Sequence, residues 1–79
     1  MHKFSIHQQI DEVKREIRMR EEVYPRQVRS GVLRQSIADY QMQRMKAVLA
    51  TLEWVRDNET DVRAFVIAKV EARKKGEAA

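Results

Sequence analysis

The sequence predicts an all-α fold: an antiparallel helical hairpin with a shorter third helix, completing a helical bundle as a dimer. Three observations lead there. Apolar residues recur at helical spacing on both sides of one joint. That joint holds the only proline and the only glycine before the tail, and the second arm is rich in Ala, Leu, Met, Gln and Arg with nothing to interrupt a helix. The expected layout is a single helical domain over 1–75, with helix 1 about 5–30, helix 2 about 35–57 and helix 3 about 60–74, then a disordered tail at 76–79.

Helix 1 is expected to start at Ser5, because Ser5 followed three residues later by Gln8 is a capping-box pattern. Phe4 stands where an apolar residue packs back onto the first turn. Ile6, Ile10, Val13, Ile17, Tyr24 and Val28 then follow steps of three, four and seven, a narrow stripe suited to one partner helix. Arg20 and Glu21 interrupt it, while Met19 and Val23 point to a minor second contact.

The joint is built from Tyr24, Pro25 and Gly31. Proline has no N–H, so Pro25 leaves the Glu21 carbonyl without its helical partner, and its ring strains Tyr24. The expectation is a last bent turn over 25–30, or a short new helix opening at Pro25. Gly31 then takes the left-handed conformation that stops the helix, with Arg29 at the negative end of the dipole.

Helix 2 is expected to carry a main apolar surface of Ile37, Ala38, Met42, Met45, Val48, Leu49, Leu52 and Val55. Tyr40, Ala47 and Trp54, seven apart, form a separate seam on nearly the opposite side. A helix with two apolar faces takes two neighbours, helix 1 on one and a second copy on the other; the competing arrangement folds helix 3 back over that face with Phe65 and Val62 as a monomeric three-helix bundle. Large aromatics dominate interfaces and Ala47 permits close approach, so the seam is the candidate dimer interface. Asp57-Asn58-Glu59-Thr60 is a polar break, and Thr60 can cap a third helix carrying Val62, Phe65, Val66 and Val70. No glycine or proline there forbids direct continuation of helix 2.

Composition narrows the function classes. A chain of 79 residues buries only roughly 60% of its unfolded surface, so association would relieve a marginal monomer. There is no cysteine, hence no disulfide and no thiolate chemistry. No apolar run approaches the ~18 residues of a membrane span, nor does an apolar core follow Met1-His2-Lys3-Phe4, so no membrane association and a cytoplasmic location are expected. The net charge of +4 is dispersed, with seven basic and five acidic groups in 1–31, four and three in 32–58, and five and four in 59–79. Many charges fall at helical pair spacing, as Glu16 with Arg20 and Glu22 with Arg26 do, which describes a solvated face.

Few residues suggest chemistry. His2, His7 and Asp11 make a poor metal set, since histidines five apart do not stack on one helix face. Glu12, Glu16, Glu21 and Glu22 lie among arginines rather than in a cleft that separates carboxyl pKa values. Neither catalysis nor a cofactor is expected. Arg15, Arg18, Arg26 and Arg29 line one side of helix 1, and Gly31 followed by Arg34-Gln35-Ser36 faintly resembles a helix-turn-helix, which makes nucleic-acid binding the alternative. Glu22 within the arginine row argues against it.

Glu12-Val13-Lys14-Arg15-Glu16, Arg20-Glu21-Glu22-Val23-Tyr24-Pro25-Arg26, Gly31-Val32-Leu33, Ala38-Asp39, Met45-Lys46-Ala47-Val48-Leu49 and Thr51-Leu52-Glu53 resemble a family of short uncharacterised proteins of bacteriophage and prophage genes. Gln27 stands where that family has an aromatic residue, and Arg34 where a capping Ser or Thr is usual. The resemblance implies a phage-derived origin and no defined activity or site residue. The sequence thus points to a small structural or protein-interaction module, a homodimer that also meets an unknown protein partner.

Overall fold

The computed structural model describes the backbone of residues 3–78 and the side chains of residues 3–76. Within that range the chain is two helices joined by a short link, α1 (Ile6–Arg29) and α2 (Gln35–Ala78). Ser5 caps α1 as its spacing predicts: its hydroxyl accepts from the Gln8 N–H at 3.1 Å, and the Gln8 side chain accepts from the Ser5 N–H at 2.9 Å. Two of the N–H groups that every helix start leaves unpaired are thereby satisfied. Ile6, Ile10 and Ile17 are buried and Val13 half-buried, so the stripe packs as its spacing requires. Arg20 sits where the stripe would continue. It is half-buried because its guanidinium turns back to the Glu16 carboxylate and carbonyl one turn earlier.

Pro25 lies inside α1, and the helix does not break at Tyr24. The fixed proline φ near −65° is compatible with a helix, and only the bond to the Glu21 carbonyl is given up, at a position where both residues are exposed. The stop comes at Gly31, with φ of 82°. Its N–H donates to the Val28 carbonyl at 3.1 Å and the Val32 N–H donates to the Gln27 carbonyl at 3.0 Å, the paired bonds of a Schellman closure. The Leu33 N–H and the Ser30 hydroxyl also reach the Gln27 carbonyl. Residues 30–34 therefore fold tightly enough to return α2 antiparallel along α1.

The two helices meet over the length of α1. Near the turn, the Tyr24 hydroxyl donates to Gln41 Oε1 at 2.9 Å. At the far end, Phe4, Gln8 and Val13 share an open cleft with Val48 and Leu52. Among the described residues only Ile6, Ile10, Ile17 and Ala38 are buried.

Two expectations need correction. No third helix separates from α2, which runs unbroken through Asp57–Thr60 to Ala78, so helix 2 does not end at 57. The polar residues there bond within the helix: Asn58 Nδ2 donates to the Trp54 carbonyl at 2.8 Å, Arg56 Nε to Asp57 at 2.9 Å, and Arg63 Nη2 to Glu59 at 2.8 Å. With no glycine or proline present, nothing outweighs helix propagation. Residues 76–78 of the expected tail are likewise helical, while Ala79 lies outside the described residues.

The result is a long molecule. Its extents are 66 × 24 × 21 Å and its radius of gyration 19.4 Å, against about 12 Å for a compact chain of this length. The accessible surface is 6753 Å², where roughly 5,000 Å² is usual for a compact monomer of 9.4 kDa. The difference comes from α2. Half-buried side chains extend along it to Glu59, opposite the start of α1, and every described side chain from Thr60 to Gly76 is exposed.

Candidate interaction surface

The surface of α2 divides by helical angle. Ala38 is buried and Met42, Met45, Leu49 and Leu52 are half-buried on the side facing α1. Ile37 and Val48, expected on that same surface, stay 42% and 46% exposed because they fall at its margin, where α1 covers only one flank. The seam is where the spacing places it: Tyr40 and Trp54 are 58% and 59% exposed, and Ala47 is exposed between them. No segment among the described residues folds over it. The Arg44 guanidinium lies 5.5 Å from the Tyr40 ring centre, which partly covers that aromatic with a cation.

Continuity of α2 brings residues of the expected third helix onto the same surface. Phe65 comes eleven residues after Trp54, close to three turns, and so stands on the seam side, with the Lys69 amine 5.4 Å from its ring. Val62, Val66 and Val70, at steps of four, continue the side of Val48 and Val55, and all of them beyond Val55 are exposed. The signal was present in the spacings of seven from Val48 through Val55 to Val62, but it has meaning only if the helix is unbroken.

No protein-family model, no curated protein and no solved structure matches this chain.

The arginine side of α1 holds together only in part. Arg15, Arg18, Arg26 and Arg29 share the outer half of the helix, away from Ile10 and Ile17. The Arg15 guanidinium is engaged by Glu12 through both carboxylate oxygens, and by Glu16 at 3.0 Å. That contact holds the Glu12 carboxyl below its ordinary pKa and raises that of Arg15, the hydrogen bond outweighing the direct charge attraction. Arg26 Nε points back to the Glu22 carbonyl at 3.4 Å, and Arg18 and Arg29 are exposed. Glu22 stands within the row, so the face is mixed in sign.

Among the described residues no three His, Cys, Asp or Glu side chains gather as a metal site; His7 and Asp11 are exposed and His2 lies outside the described range. No buried side-chain polar atom there lacks a partner. No helix among the described residues is long and apolar enough to cross a membrane.

Proposed function

We propose that this chain is a small structural or protein-interaction module that works as a homodimer, with α2 as its contact helix and no catalytic step or cofactor of its own. The observation that carries this reading is the bare distal half of α2, where large apolar side chains including Phe65, Val66 and Ile67 lie open. In proteins most helical stability comes from tertiary packing, and the turns of α2 beyond Glu59 carry exposed apolar groups that α1 does not cover, so they call for a second partner. Tyr40, Ala47 and Trp54 offer a further docking face for a protein. Its setting, in this reading, is the cytoplasm and a phage-derived gene, the second supported by the Val23-Tyr24-Pro25-Arg26 run and the glycine turn that follows.

Thermal unfolding followed by helical circular dichroism over a hundredfold range of chain concentration tests the homodimer. A dimer that loses fold on dissociation melts at a higher midpoint as concentration rises, by mass action. A concentration-independent midpoint contradicts it. The rival is settled in parallel. Retention of DNA or RNA at low salt, with a steep salt slope that flattens when Arg15, Arg18, Arg26 and Arg29 are replaced together, would put nucleic-acid binding in place of this reading.

A further inference from the structure

One side of the distal half of α2 has mirror-like order. Val66 is its centre, Val62 and Val70 lie one turn to either side, and Glu59 and Arg73 lie seven residues to either side. A second α2 running antiparallel about Val66 therefore sets Val66 on Val66 and Val62 on Val70, with Glu59 beside Arg73 at both ends. Charge along the segment is polarised to match. Asp57, Glu59 and Asp61 stand before the valines, and Arg73, Lys74 and Lys75 after them. A parallel pair would stack the basic end of one copy on that of the other, at a like-charge cost, whereas the antiparallel pair opposes unlike ends. Glu59 already holds Arg63 of its own helix at 2.8 Å, and its other oxygen lone pairs remain available to the second cation.

Area points the same way. A stable pairing takes about 800 Å² from each partner. This chain exposes roughly 1,700 Å² more than a compact monomer of its mass, and every described side chain of α2 beyond Glu59 is exposed. The seam fits a two-fold pairing less well, because the position seven residues after Trp54 is Asp61, which sets a carboxylate in its row between Trp54 and Phe65.

We infer that two copies of α2 pair antiparallel through Val62, Val66 and Val70 about a two-fold axis at Val66, with Glu59 of each chain against Arg73 of the other. The inference rests on the homodimer proposed above and names its face and direction. The seam then stays outward, free for a different protein.

The chain has no cysteine, so single replacements report geometry without background. Treated with a short bis-maleimide, full-length Val66→Cys is expected to cross-link to itself. Glu59→Cys and Arg73→Cys are expected to cross-link when mixed and not when alone. Sedimentation of Val66→Glu should show association weakened against native chain by at least about tenfold in affinity, which is ~1.4 kcal/mol, with helical content at high concentration checking that the hairpin persists. Trp54→Ala should leave the dimer intact. Self-cross-linking of Glu59→Cys alone would overturn the direction. A dimer lost with Trp54→Ala and kept with Val66→Glu would move the contact to the seam. A native chain that is monomeric throughout would remove the homodimer itself, and this pairing with it.

Discussion

Gly31 shows how one residue sets the hairpin. Its φ of 82° is a conformation that L side chains resist, while an added Cβ would meet nothing within 4 Å, so the cost of replacing it is backbone strain alone. Gly31→Val is expected to lower stability by on the order of 1 kcal/mol or more, and an unchanged denaturant midpoint would show that the turn does not need the left-handed residue. Glu12 gives a second prediction at this scale. Its folded pKa is depressed by the hydrogen bond from Arg15, so the stabilisation it provides is present above the unfolded carboxylate pKa and is lost as pH falls through the folded one. The difference in melting midpoint between native chain and Glu12→Gln should therefore be small and positive at neutral pH and vanish in acid. A difference that grows in acid would contradict the contact.

At the scale of the element, α1 depends on its cap and its isoleucines. Ser5→Ala removes the acceptor for the Gln8 N–H and should cost ~1 kcal/mol, and Ile10→Ala, at one of the few buried positions, ~2–5 kcal/mol. For a chain with so small a core the second change should abolish the cooperative melt at low concentration; a retained sharp transition would mean that Ile10 is not central. In α2 the critical region is Asp57–Thr60. Thr60→Pro should interrupt the helix there at a cost of about 3 kcal/mol and reduce helical circular dichroism; an unaltered signal would mean that helix is not continuous across this point. These elements also show what the sequence discloses. The cap at Ser5, the stop at Gly31 and the packing of Ile6, Ile10 and Ile17 are local rules of spacing and conformation, and they were legible. Continuity through Asp57–Thr60 was not, because the same polar residues that resemble a break also make bonds within a helix, and only the absence of glycine and proline decides between them. The exposure of Ile37 and Val48 was hidden for another reason: helical spacing locates a side, but how much of it a single neighbour covers depends on packing angle.

At the scale of the molecule, the hairpin leaves the distal part of α2 uncovered. α1 is long enough to cover α2 only as far as Glu59, and the remaining turns carry exposed apolar groups. The candidate surface was legible in the sequence as residue types, since Tyr40, Ala47 and Trp54 lie where their spacing places them. The valine stripe was not, because Val62, Val66 and Val70 join Val48 and Val55 only on one unbroken helix. Sedimentation equilibrium of the native chain at micromolar concentration tests the proposed self-association most directly. The homodimer predicts a species of twice the 9.4 kDa chain mass, giving way to the single chain on dilution. A single 9.4 kDa species at every concentration would contradict it.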